Sequence, residues 1–321
     1  MSLKVSLPRI MSKGRPPFWL LPNICSLDAP LVAVVWMWML AHSMQVIYVP
    51  QVAYILLPLI VWMVYTLDRI LDVRGGVYPH EEQMPWRHQF HWKYRYVLIF
   101  LMILGAVVTG YLSLAYLSTA VLSAGLVGGG LILLYGVMVR YRTSQSVPYA
   151  KNLVAGLIFA YGTATPVIVH AGLPMMTVVD VWSSVSEQQG SWLGSGLQMV
   201  IYTIGTIIFS SPLVFFMGLL FFLNITAIDL WESSRESKDL EHKTFNEAML
   251  SFGLICLVGV VFLWAIWGAD QMARPFCYAL MASAGFLQLI NKARSRFSLE
   301  AQRVLADVAL LLPLGILYFQ T

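Results

Sequence analysis

The sequence has only three cysteines, Cys25, Cys256 and Cys277, and no two form a spaced pair. This excludes a disulfide framework and a thiolate metal site, and leaves the three as packing residues. Charge is equally scarce, with Asp, Glu, Lys and Arg together making up 11% of the chain. A soluble domain carries about 25%, so an ordinary water-soluble globule is excluded, and no nucleic-acid partner is expected. Early basic residues are present, but neither an apolar core nor a small-residue cleavage site follows them, which argues against a cleavable signal peptide. No internal repeat is visible, which weighs against a transporter built from duplicated halves.

Apolar sequence is abundant. Hydrophobic residues make up 59% of the chain, eleven Trp are present, and mean hydropathy is +0.72. The apolar residues come in long blocks, and a bilayer-spanning helix needs about 20 of them. Nine blocks qualify: residues 29–46, 52–67, 96–114, 116–139, 153–170, 212–228, 250–267, 276–290 and 304–319. The expected fold class is therefore an all-α polytopic membrane protein, with residues 1–321 forming one transmembrane domain. If the nine spans alternate, every Lys and Arg falls on one side except Arg274. The positive-inside rule then predicts an integral inner-membrane (cytoplasmic-membrane) protein with a cytoplasmic N-terminus and an extracytoplasmic C-terminus.

Between the blocks, Pro8, Pro16, Pro17 and Pro22 keep residues 1–27 irregular and interfacial, with Phe18 and Trp19 at headgroup depth, until Ser26 or Asp28 caps the first span. Residues 73–95 read as a solvated cytoplasmic loop facing lipid headgroups. Its His88 and His91 are too loosely spaced for a metal site, and its basic residues suit electrostatic attraction of an anion. Gly128, Gly129 and Gly130 predict close helix approach. Residues 171–211 read as an extracytoplasmic loop followed by an interfacial or re-entrant helix, because 197–209 is too short to span. Asn224, inside the sixth span, is expected to be buried against protein.

The chemistry concentrates at two acidic pairs. Asp68 and Asp72 end the second span four residues apart, and Asp229 and Glu232 end the sixth span three apart. Either spacing brings both carboxylates to one helix face. Two such clusters on one side of the membrane predict a shared polyvalent cation, for which Mg²⁺ bridging to phosphate is the simplest candidate.

Asp68-Arg69-Ile70-Leu71-Asp72 resembles the D-R-x-x-D end of the first aspartate-rich motif of UbiA-type intramembrane prenyltransferases. Asp229-Leu230-Trp231-Glu232, followed by Arg235, is similar to their second motif, and the stretch from Tyr135 to Lys151 with Asn152 and Gly156 looks like their Y…K-R…K-x-x-x-x-G region. The resemblance covers nearly the whole chain. It departs from the family where Val64 and Tyr65 stand in place of the first motif's Asn and first Asp, and where Glu232 and Ser233 replace acids of the second.

That resemblance implies nine helices around a central lipid-open cavity and Mg²⁺-dependent transfer of a prenyl group from a polyprenyl diphosphate to a hydrophobic or aromatic acceptor. Asp68, Asp72, Asp229 and Glu232 would hold the metal and carry catalysis. Arg69, Arg142, Lys151 and Arg235 would neutralise the leaving group, and Asn224 would substitute for the lost amide. The implied partners are an isoprenoid diphosphate, a lipophilic acceptor and the bilayer. The depleted first motif equally suits an isoprenoid-binding protein or a terpene cyclase without acceptor transfer. A transporter ranks last, because the acids stand at the rim and not at mid-membrane.

Overall fold

In hydrocarbon a backbone must satisfy its own polar groups, and a helix does so within one segment. The computed structural model describes residues 16–74, 84–140, 148–173, 175–186, 192–236 and 239–315, and there is no strand among them. In chain order the helices are α1 (Leu21–Ile24), α2 (Asp28–Ser43), α3 (Gln51–Arg74), α4 (Trp86–Lys93), α5 (Arg95–Tyr116), α6 (Thr119–Arg140), α7 (Pro148–His170), α8 (Val178–Ser186), α9 (Trp192–Phe209), α10 (Pro212–Glu236), α11 (Leu240–Trp267), α12 (Arg274–Ala293) and α13 (Leu299–Leu311). Among the described residues, seven helices are long and apolar enough to cross a membrane: α3, α5, α6, α7, α9, α10 and α11. An eighth is added if residues 18–43, bent by 78°, count as one broken span.

This differs from nine alternating spans: α2, over the first block, counts only together with the bent segment before it, α9 qualifies where no span was expected, and neither late block does. α12 is 20 residues long, but it carries Arg274 and Lys292 at its ends and Gln288 and Asn291 near its close, too much polarity for the apolar criterion. Its buried face, with Phe276, Leu280, Ser283, Leu287 and Asn291, packs against protein. α13 stops at Leu311, and the end of the expected 304–319 span lies outside the described residues.

The core forms where α2, α7, α10, α12 and α13 meet. Trp36 is fully buried, edge-on to Phe221 at 5.8 Å and Phe276 at 5.3 Å, and its indole N–H donates to the Leu310 carbonyl at 3.0 Å. The tightest pair is α7 with α10, and two glycines permit it. A Cβ on Gly156 would stand 2.5 Å from the Phe222 backbone nitrogen. One on Gly218 would stand 2.8 Å from Leu157. At Gly128 another helix also comes close, because a Cβ there would meet the Tyr161 ring at 3.0 Å; Gly129 and Gly130 meet nothing within 4 Å.

α5 and α6 diverge. Only Leu117 and Ser118 separate them, yet α5 packs mainly on α3 while α6 packs mainly on α7. A wedge thus opens between them, and many apolar side chains on both helices are exposed, Ile103 and Leu133 among them.

α9 begins at Trp192, earlier than the sequence reading placed it, and reaches 18 residues. It is held to its neighbours near both ends: the Val178 N–H of α8 donates to Ser123 of α6 at 2.9 Å, Ser184 of α8 donates to Ser195 at 2.8 Å, and Phe209 contacts Phe215 in the first turn of α10 at 5.8 Å.

Residues 84–94 of the expected solvated loop 73–95 are in part helical and packed, although Lys93 and Tyr94 are exposed. They include α4, where His88 is 2% exposed and His91 fully buried; residues 75–83 lie outside the described residues. The physical reason is the corner between α1 and α2. Ser26 turns it with φ 59°, a left-handed conformation that costs a side-chain-bearing residue energy. Its hydroxyl does not cap α2; instead it contacts His91 Nε2 at 3.0 Å and accepts from Arg69 Nη1 at 2.7 Å. His91 Nδ1 lies 2.6 Å from the Arg87 carbonyl. Burial pushes the His91 imidazole down to about 4, and burial also lowers His88, against the opposing pull of Asp72.

Candidate functional site

α3, α7 and α10 end together, and the two acidic motifs meet there through α7. Asp68 and Asp72 sit one turn apart on the last turns of α3. Asp68 is exposed, yet Asp72, Arg69, Lys151 and Arg87 all act on it electrostatically. Asp72 lies 3.6 Å from His88 Nε2. Lys151 and Asn152 stand at the start of α7, and Asn152 donates its amide to Asp229 at 2.9 Å and to Thr226 at 3.3 Å. Asp68, Asp72, Lys151, Asn152 and Asp229 therefore form one polar mouth at the end of an apolar bundle.

Other expected site residues go elsewhere. Asp229 and Glu232 differ by three positions, so their side chains diverge by about 60° around the helix. That is enough for Asp229 to turn toward α7 and Glu232 toward α13. There Arg303, 4% exposed, grips a single Glu232 oxygen through Nε at 2.8 Å and through Nη2. Arg69 is 7% exposed and spends its Nη1 on the Asn23 carbonyl at 2.6 Å and on Ser26, so it holds the α1–α2 corner. Arg235 donates to the Phe297 carbonyl between α12 and α13. Arg142 lies outside the described residues. Asn224 is 6% exposed, and its Oδ1 is buried without a hydrogen-bond partner.

Sequence reasoning named His88 only as a loop histidine too loosely spaced for a metal and Asp28 only as a cap, and it gave Arg303 and Asp307 no role of their own. Arg303 and Asp307 read locally as ordinary helix-end charges. Only the polar positions of Asp28 and Asp307 at the margins of apolar runs signalled anything unusual.

The mouth's donor set bears on metal binding. Among the described residues, no group of three or more His, Cys, Asp or Glu is placed to hold a metal ion. Mg²⁺ commonly takes only one or two carboxylates when phosphate oxygens and water complete its shell. Asp68 and Asp72, one turn apart, are as many carboxylates as such an ion needs, whereas Asp229 is engaged by Asn152 and Glu232 by Arg303.

Below the mouth an aromatic path leads inward. Tyr65 on α3 stands edge-on to Phe159 on α7 at 6.4 Å, Phe159 edge-on to Phe221 on α10 at 4.8 Å, and Phe221 meets Trp36. No protein-family model matches the chain, and neither a curated protein nor a solved structure shows detectable similarity to it.

Proposed function

We propose that this membrane protein binds the diphosphate of an isoprenoid at the Asp68–Asp229 mouth and transfers the prenyl group to a lipophilic acceptor, in the manner of UbiA-type enzymes. The observation that carries the reading is the gathering of Asp68, Lys151, Asn152 and Asp229 from three helices at one end of an apolar bundle. A prenyl diphosphate has the matching shape: a charged head for the mouth and an apolar tail for the α5–α6 wedge.

In this reading Lys151 neutralises charge growing on the departing oxygens, and Asn152 holds Asp229 in orientation. Mg²⁺ bound by Asp68 and Asp72 would supply further neutralisation of the leaving group. Tyr65 and Phe159, both half-buried, would stand nearest an allylic cation and stabilise it with their ring electrons, with Phe221 packed behind them. The mouth faces the cytoplasm of a cytoplasmic membrane, since the basic residues gather at that end, and the bundle corresponds to the UbiA-type fold.

The test is retention of farnesyl and geranylgeranyl diphosphate by the purified protein with Mg²⁺ and with EDTA, together with pyrophosphate release. Wild type is compared with Asp68→Ala and Asp229→Ala. Metal-dependent retention lost in both variants supports one shared site, and its absence from folded wild type rejects it. A second reading, isoprenoid binding or cyclisation without transfer, is favoured by the engagement of Glu232 with Arg303 and of Arg69 with Asn23. It predicts retention without acceptor-dependent turnover.

A further inference from the structure

The end of the bundle opposite the mouth holds a second place for a ligand. The ends of α2 and α11, the start of α10 and the turn into α12 meet there around a cleft of about 270 Å³, lined by Ser43, Ser211, Leu213, Asp270 and Ala273 among others. Leu213 stands sixteen residues before Asp229, so the cleft lies about 24 Å from the mouth along α10. Beside it is a shallow apolar groove of about 430 Å³, lined by Phe216, Val260, Leu263 and Trp267. Trp264 and Gly268 line both. A Cβ on Gly268 would stand 2.5 Å from the Trp264 ring, so the indole lies against the last turn of α11 as a wall common to cleft and groove. From Gly268 to Val260 the groove runs about 12 Å inward from the bundle end.

Three features give the cleft its chemistry. Ser43 is 4% exposed, and its Oγ is buried without a hydrogen-bond partner among the described residues. Nothing in the fold employs this hydroxyl, and a ligand that hydrogen-bonds it would offset its loss of water. Asp270 is exposed and is the only charged residue lining the cleft. Its Oδ1 accepts from the Ala273 N–H at 2.7 Å, and among the described residues it forms no ion pair, not even with Arg274 four positions on. The helix ends complete the field: α2 and α11 close there with their negative ends, and α10 opens there with its positive end. A headgroup carrying both an ammonium and a phosphate matches both signs. One carboxylate is too small a donor set for Ca²⁺ or Mg²⁺.

We infer that cleft and groove together bind one phospholipid with a primary-amine headgroup, taken from the leaflet opposite the mouth. The ammonium donates to the Asp270 carboxylate and the Ser43 hydroxyl, the phosphate lies toward the start of α10, and one acyl chain follows Phe216 and Leu263 along α11. Trp264 and Trp267 stand near the end of α11, at the depth where indoles favour the membrane interface, so the cleft lies among headgroups and the groove among chains. A soluble amine would leave the groove unfilled, and a quaternary ammonium has no N–H to donate. The site shares no residue with the mouth and stands independently of the diphosphate reading.

The test is native mass spectrometry of the full chain in detergent, with dioleoylphosphatidylethanolamine or with the phosphatidylglycerol of the same chains added. Wild type should retain the amine lipid at least ~10-fold more tightly, the effect of one hydrogen bond between charged groups. In Asp270→Asn, whose amide oxygen can still accept from the Ala273 N–H, that preference should fall below about twofold. Equal retention of the two lipids by wild type, or an undiminished preference in Asp270→Asn, would overturn the site. Phosphoethanolamine added at the lipid's concentration should leave the lipid in place, and displacement by it rejects a lipid as the occupant. If Asp270→Asn does not fold, Ser43→Ala decides: retention of the amine lipid should fall at least ~3-fold, and full retention there overturns the proposal.

Discussion

Replacing Glu232 with Gln separates a metal ligand from a structural anchor. Arg303's side chain is 5% exposed and Glu232's 32%, and the guanidinium meets one Glu232 oxygen through two nitrogens. Breaking a buried ion pair from one side typically costs about 3–5 kcal/mol, because the remaining charge is stranded. Water reaches Glu232 in part, so the expected loss for Glu232→Gln is about 2–3 kcal/mol. Arg303→Met should cost less, since the carboxylate it leaves behind is the better hydrated partner. The double variant Glu232→Gln with Arg303→Met should recover most of the loss, giving a coupling of about 2 kcal/mol in a double-mutant cycle. Trp231, buried beside Glu232 with its indole N–H donating to Asn291 at 2.9 Å, is a local fluorescence reporter for denaturant unfolding in detergent. Farnesyl diphosphate retention, measured on the same samples, should persist in the folded double variant. A Glu232→Gln protein of wild-type stability that loses Mg²⁺-dependent retention would refute the anchoring role and restore Glu232 to the metal site.

Gly156→Ala should cost at least about 3 kcal/mol or prevent folding, because the new Cβ meets backbone of α10 that cannot move aside; Gly162→Ala, with nothing within 4 Å, should be neutral or stabilising in the same melting assay. His91 is held neutral well below its ordinary value of 6.5, so the unfolded chain binds its proton first as pH falls. Stability should therefore be full above pH 6.5 and decline toward about 4, by up to about 3 kcal/mol, and His91→Gln should flatten that limb in pH-dependent unfolding. Asn152→Leu should leave stability nearly unchanged, since it also removes an unpartnered buried carbonyl, while diphosphate retention weakens about tenfold because Asp229 loses its orienting donor.

Composition and block length alone determine that this chain is helical and membrane-embedded, because lipid admits few other ways to satisfy a backbone. Local spacing also determines that Asp68 and Asp72 share a face, since one helical turn separates them. The third dimension decided the rest. A 60° divergence on α10 sends Asp229 to Asn152 and Glu232 to Arg303, and three-residue spacing cannot tell which neighbouring helix each acid will meet. Arg69 reads as a partner for phosphate until the left-handed turn at Ser26 brings the Asn23 carbonyl to it. His88 and His91 read as loop residues until the same corner buries them. Trp36 and Leu310 lie near opposite ends of the chain, and only packing of α2 against α13 brings the indole N–H to the Leu310 carbonyl, because a buried polar group is stable only where a hydrogen-bond partner is supplied.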